Sequence, residues 1–156
     1  MRENISILQD KQSDARTTSE VGALGEQLAA EHLLKSGFRL VLANFKTPVG
    51  RNTRGAIVTG EIDLIGYDEY FLCFVEVKTR SSDEFISPLA AIDLRKQRQI
   101  IRTSRVYRKI FGLPNAKVRF DAVSIVLIKN ARPKIELFKG YFSEAKFRKN
   151  IWADEY

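Results

Sequence analysis

Cysteine and histidine are almost missing from this chain, acids are fewer than bases, and long apolar runs do not occur. The single cysteine, Cys73, excludes an internal disulfide framework and any multi-cysteine zinc site. It lies in the apolar run FLCFV, where a small buried hydrophobe is its ordinary role. The single histidine, His32, sits in an Ala/Leu-rich segment and reads as a packed or surface residue rather than a general base. No run nears the roughly 18 apolar residues of a membrane span. The N-terminal stretch MRENISILQDKQSDARTTSE carries acids and lacks the apolar core of a secretory signal, so a cytoplasmic location is expected. No G-x-x-x-x-G-K-[ST] loop is present, which removes a built-in ATP-driven motor. The 19 acids stand against 26 Lys and Arg, a net charge of +7. That balance favours an anionic partner, and nucleic acid is the commonest one for a basic domain.

At 156 residues and 44% hydrophobic content, the chain suits one globular domain with a real core. Residues 1–17 are polar apart from ISIL and are expected to form a flexible arm ahead of a single domain over 18–156. Thr17 and Glu20 make a T-x-x-E capping box before VGALGEQLAAEHLLKSG, a helix that Gly37 should stop. FRLVLANF predicts a strand, and KTPVGRNTRGAIV (46–58) a loop or long hairpin broken at Pro48, Gly50 and Gly55. GEIDLIGY and FLCFVEVKT flank the polar turn at Asp68, Glu69 and Tyr70, which predicts an antiparallel hairpin. After Pro88, LAAIDLRKQRQIIRTSRVYRKIFG has a helical period and offers Ile92, Ile100, Val106, Tyr107, Ile110 and Phe111 to the core. KVRFDAVSIVLI and KIELF predict two further strands, and the tail from Tyr141 is open between a short closing helix and a loose end. The order is αβββαββ, a mixed sheet with helices packed against it.

Two of these strands read as buried, yet they hold Glu61, Asp63, Glu76 and Lys78. Buried charges are costly unless they are paired or hold a metal. Alternation places Glu61 and Asp63 on one face, with Ile62 and Leu64 on the other. Phe74, Glu76 and Lys78 share a face in the second strand. Asp63 and Glu76 lie at similar distances from the turn, so they can meet across the sheet. Their oxygens suit Mg²⁺ or Mn²⁺, which would remove the repulsion between them. Lys78, two residues on, stands about 7 Å further along the strand and brings an ammonium beside the ion. The bland alternative is a structural ion cluster. Glu61, at the start of its strand, is better explained by pairing with a basic neighbour than by metal ligation, and Asp121 by capping or pairing than by catalysis.

An acid followed by E-x-K on a neighbouring strand resembles the PD-(D/E)xK, restriction-endonuclease-like nuclease superfamily. More closely, GALGEQLAAEHLLKSGF, GEIDLI, FVEVKTR and RKQRQ together resemble the YraN-like family within it, over about Val21 to Phe138. The resemblance implies an α/β fold with an αβββαβ core and a mixed central sheet flanked by helices. It implies a metal-dependent endonuclease acting on DNA, with branched or structured DNA suggested by the junction resolvases that share the core. By the same resemblance, Asp63 and Glu76 are metal ligands for Mg²⁺ or Mn²⁺, and Lys78 is the catalytic lysine. Glu26 on the first helix is an auxiliary acid and ligand, and Gln97 or its neighbour Lys96 is an assisting polar residue on the second. Independently, Glu26 lies among Ala23, Ala30 and Leu33 on an apolar sector, where an acid wants a partner. Ile62 stands where the superfamily name has proline, and the loop before Gly60 is longer than is usual for the family.

The second helix is the plainest binding feature. From Ala90 to Phe111 it carries seven basic residues against Asp93 alone, and Arg95, Arg98, Arg102, Arg105 and Lys109 recur at three- and four-residue steps. Such a stripe points to phosphate, and Arg51 and Arg54 in the basic loop extend it. Two other readings stand beside the nuclease: a non-catalytic nucleic-acid-binding module, and an adaptor whose helix docks an acidic protein. The sequence is compatible with a homodimer.

Overall fold

A computed structural model of the chain describes residues 16–81 and 87–148. The expected N-terminal arm falls almost wholly outside the described residues, and Thr17 already belongs to the first helix as its cap. The capping box closes as the sequence predicts: the Thr17 hydroxyl accepts from the Glu20 N–H at 3.2 Å, and the Glu20 carboxylate accepts from the Thr17 N–H at 2.7 Å. Helix α1 then runs over Thr18–Lys35 and ends at Gly37, whose φ of 93° only glycine adopts without strain.

Strand β1 covers Arg39–Arg51 and β2 covers Ile57–Asp68, so the expected loop or long hairpin at 46–58 is a hairpin whose strand runs through Pro48. Proline is tolerated there because β1 is an edge strand and its register slips between Pro48 and Gly50. The Asn52 side chain closes the turn by accepting from the N–H groups of Arg54 and Ala56, at 3.0 and 2.9 Å. Strand β3, Phe71–Ser81, returns antiparallel to β2 across a turn in which Glu69 takes a positive φ.

Helix α2 spans Leu94–Ile110, later than the helical period suggests. Asp93 caps it by accepting from the Lys96 N–H at 2.8 Å, and Pro88–Ala91 form a separate 3-10 turn. Two of its expected core residues are misplaced. Ile110 and Phe111 are more than half exposed, while Ile101 is buried beside Ile92, Ile100 and Tyr107. Strands β4, Lys117–Leu127, and β5, Lys134–Phe142, follow, and the undecided tail makes a 3-10 turn over Glu144–Phe147.

The sheet order is β1-β2-β3-β4-β5, antiparallel everywhere except between β3 and β4, which α2 connects as a crossover. The restriction-endonuclease-like architecture follows: a mixed sheet with one helix on each face. Ala29 and Leu33 of α1 pack on Cys73, Val75, Val77, Val123 and Ile125. Ile100, Ile101 and Tyr107 of α2 pack on Ile62, Leu72, Phe74 and Phe120. Strand β3, central and covered on both faces, is therefore apolar on both, which makes the charge on Glu76 all the more conspicuous.

Helix α1 meets the far end of β3 through Gly25. A Cβ on that residue would lie 1.8 Å from the Thr79 hydroxyl oxygen and 2.9 Å from its Cβ. Gly25→Ala is therefore expected to cost about 1–3 kcal/mol by overpacking, and Thr79→Ala in the same chain to recover much of it. Denaturant melts of the two variants check this; additive losses would mean that the two residues do not meet.

Candidate active site

The site lies where two strands part. β2 pairs with β3 from Asp68 opposite Phe71 up to Leu64 opposite Val75, and the ladder stops there. β2 nevertheless continues against β1 out to Ile57 opposite Arg51. Asp63 and Glu76 occupy the first position beyond the parting. In place of a further ladder bond, Asp63 Oδ2 accepts from the Val77 N–H at 2.7 Å. The strict alternation expected for GEIDLI fails at this point. Ile62 packs on the α2 side of the sheet and Leu64 on the α1 side, at the point where β2 leaves β3 and beside Asn44, whose φ on β1 is 53°.

Glu76 is 1% exposed. Its Oε1 accepts from two ammonium groups, Lys78 Nζ at 2.8 Å and Lys96 Nζ at 3.2 Å. Its Oε2 is buried with no hydrogen-bond partner. Gln97, one residue after Lys96, donates to the Ile92 carbonyl at 3.1 Å and leaves its own Oε1 buried and unpaired. Of the two alternatives on α2, Lys96 is thus the one in contact with the carboxylate. Asp63 has its carboxyl pushed up to about 7, first by burial and then by the charge of Glu76. The Val77 hydrogen bond opposes this shift, Glu26 adds to it and Lys96 counters it. Glu26 is half-buried on α1 and acts on Asp63 through its charge.

Among the described residues no three His, Cys, Asp or Glu side chains gather into a ready metal centre. The expected Asp63, Glu76, Glu26 triplet is therefore a close pair with an outlying third acid. A pair suffices for a hard divalent ion, since Mg²⁺ is commonly held by one or two carboxylates together with substrate phosphate and water. The unpaired Glu76 oxygen fits that use, because an orphaned buried carboxylate oxygen is costly without a cation or a donor.

The remaining candidates divide cleanly. Glu61 pairs with Lys46 at 3.4 Å on the hairpin. Asp121 is fully buried in a separate network: Arg119 donates to both of its oxygens at 2.8 Å and to Asp68 at 2.7 Å, and the Gly140 N–H donates to it as well. These bonds raise the Arg119 guanidinium pKa and leave Asp121 a structural role. Cys73 is buried with its thiol pushed up to about 12 by desolvation, which makes it inert. His32 is half-buried on α1 and contributes its carbonyl to the helix C-cap.

Arg95, Arg98, Arg102, Arg105 and Lys109 are all exposed along α2. The stripe is not wholly uncompensated, since Glu144 pairs with Arg105 and approaches Arg108 at 3.8 Å. Arg98 lies over the Phe147 ring at 5.2 Å. Both partners come from the tail that periodicity left undecided. Arg51 braces its own turn by donating to the Gly55 carbonyl at 2.7 Å, and Arg54 is exposed in that turn.

A model of the uncharacterised protein family UPF0102 matches residues 25–125, a span that contains the whole site. Proteins bearing that family name align over most of this chain. One from Solibacter usitatus is 40% identical over 78% of this chain and 84% of the relative. One from Renibacterium salmoninarum is 34% identical over 80% and 98%, and one from Desulfosudis oleivorans 37% identical over 79% and 89%. The crystal structure of SSO0001 aligns with 83% of this chain and 56% of that one at 19% identity and a TM-score of 0.36, too low to bear on fold or chemistry. Among the described residues no helix is long and apolar enough to cross a membrane.

Proposed function

The chain belongs to the uncharacterised protein family UPF0102, and from that premise we propose that it is a metal-dependent nuclease hydrolysing phosphodiester bonds in DNA, branched or otherwise structured DNA in particular. The observation that carries the reading is the buried Glu76 carboxylate facing Asp63 at a strand parting, with one oxygen on two lysines and the other unpaired. Asp63 and Glu76 would hold Mg²⁺ or Mn²⁺. When bound there, such an ion would lend positive charge to a phosphodiester oxygen and lower the pKa of the attacking water. Lys78 orients that water or offsets charge growing on the phosphate, work that a preorganised ammonium does in a dry site. Lys96 holds the same Glu76 oxygen from α2, so the carboxylate keeps a partner when Lys78 turns to substrate. Val77, through its N–H, fixes the Asp63 carboxylate at the parting.

One observation favours a non-catalytic nucleic-acid-binding module instead: two lysines on one Glu76 oxygen would also suit a structural ion cluster. A cleavage screen separates the two, using single-stranded, duplex, flap and four-way DNA with Mg²⁺ and with Mn²⁺. Metal-dependent cuts lost in Asp63→Ala and Glu76→Ala are expected; binding without cleavage by the wild type on every substrate would establish the module.

The exposed arginines give a further expected result. Arg98→Ala combined with Arg102→Ala should weaken DNA binding on all sequences alike and flatten its salt dependence, since each lost phosphate contact releases one counterion fewer. Anisotropy titrations at several salt concentrations check this. An unchanged slope of log affinity against log salt would return these arginines to plain solvated positions.

A further inference from the structure

Beyond the parting at Asp63, the paired strands β1 and β2 form a two-stranded arm that no longer touches β3 by hydrogen bonds. The arm lies along α2. Gln99 donates to the Thr59 carbonyl at 3.1 Å, and a Cβ on Gly60 would come 2.0 Å from the Thr103 hydroxyl oxygen, so helix and arm are joined at close range. Between them runs a groove of about 520 Å³. Its two walls differ in chemistry: Val49 and Val58 on the arm face Arg95, Arg98 and Arg102 on the helix. Lys96 lines the same groove and ends 3.2 Å from Glu76 Oε1, so one side chain links the groove to the buried carboxylate.

We infer that this groove takes an unpaired DNA strand, with phosphates on the arginine wall and bases against the valine wall, and that the protein therefore acts on single-stranded segments rather than on intact duplex. The assignment rests on the nuclease reading above and adds its substrate class. A single strand presents charge along one side and flat apolar bases along the other, which is the asymmetry of the walls. A duplex turns its bases inward and offers an apolar wall nothing to cover. Size points the same way: the groove lies within the range of small-ligand cavities, about 300–1,000 Å³, a scale that admits one or two nucleotides and not the width of a double helix. Depth adds to this, because the Glu76 side chain is only 2% exposed and a phosphate must be led inward to meet it.

The test measures binding without metal, so that cleavage plays no part, and cleavage with Mn²⁺ separately. Full-length protein is titrated with a fluorescent single strand, with the blunt duplex of the same sequence, and with that duplex carrying a single-stranded tail. The single strand and the tailed duplex should bind at least about tenfold more tightly than the blunt duplex at equal salt. Val58→Phe, which offers the bases a ring to stack on, should tighten single-strand binding by about fivefold or more and leave the blunt duplex unchanged. Val49→Phe, on the other strand of the same wall, is the second variant and should act in the same direction. Equal affinity for strand and blunt duplex, or valine variants that alter both substrates alike, would overturn the groove assignment. A retained single-strand preference without Mn²⁺-dependent cleavage of any substrate would sink the nuclease reading and leave the groove standing. Cleavage of blunt duplex at the single-strand rate would do the reverse.

Discussion

Lys78→Met is expected to cut single-turnover cleavage by about a hundredfold or more while leaving metal-free melting close to wild type, the scale of losing one preorganised electrostatic group. The melting half of the expectation comes from the second helix. Glu76 Oε1 keeps Lys96 at 3.2 Å when Lys78 at 2.8 Å is gone, so the buried carboxylate is not stranded. Removing both ammonium groups strands it. The double variant Lys78→Met with Lys96→Met should therefore lose about 3–5 kcal/mol, far more than the sum of the single losses. Cleavage at the wild-type rate in Lys78→Met would refute the catalytic role. A single-variant melting loss as large as that of the double would make Lys78 the structural partner and Lys96 a bystander.

Asp63→Asn should abolish metal-dependent cleavage and yet make the metal-free protein more stable at pH 8. In the fold burial and the neighbouring Glu76 push the Asp63 carboxyl up to about 7 from its ordinary value of 3.8. Between those two values the folded chain retains a proton that the unfolded chain has released, so stability falls as pH rises across that window and is level above it. A shift of this size amounts to a few kcal/mol on the order-of-magnitude scale of pKa linkage. Asparagine keeps the shape and an oxygen for the Val77 N–H, and it carries no charge to desolvate. Denaturant unfolding at pH 4.5 and pH 8 should therefore show a smaller fall for Asp63→Asn than for wild type, and Mn²⁺ should raise the melting temperature of the wild type alone. Parallel pH profiles in the two proteins would mean that Asp63 is not the strained acid.

Which parts of this were legible in the sequence depended on distance along the chain. The Asp63, Glu76 and Lys78 grouping follows from counting out from one short turn, and local hydrogen bonding preserves that count. The capping box at Thr17 and the stop at Gly37 are equally local. The failure of alternation at Asp63 was hidden, because it arises where β2 leaves β3, and no residue type in GEIDLI marks a strand's departure from a neighbour. Pro48 read as a breaker since edge position is a property of the sheet, not of the residue. Lys96 and Gln97 could not be ranked by period, because which of them reaches Glu76 depends on how α2 is seated across the sheet, a tertiary property. Glu144 was silent for a different reason: its partners Arg105 and Arg108 lie nearly forty residues away, and the short turn that carries it has no periodicity to read.

The parting of β2 from β3 also divides the molecule into what can vary and what cannot. Inward of Asp63 the strand is paired on both sides and Leu64 and Ile65 are held in the two cores, and one misplaced strand register would turn the carboxylates away from each other. Outward of it, the arm's tip at 52–56 is an exposed turn, and its length can change by whole residue pairs without altering any bond at Glu76. On the nuclease reading, the acids at the parting and the valines of the arm would thus be separately adjustable, with only β2 common to both. A library randomised only between Val49 and Val58 would explore new substrate shapes on a fixed set of acids and lysines, and related chains can diverge in what they hold while keeping the residues at the parting unchanged.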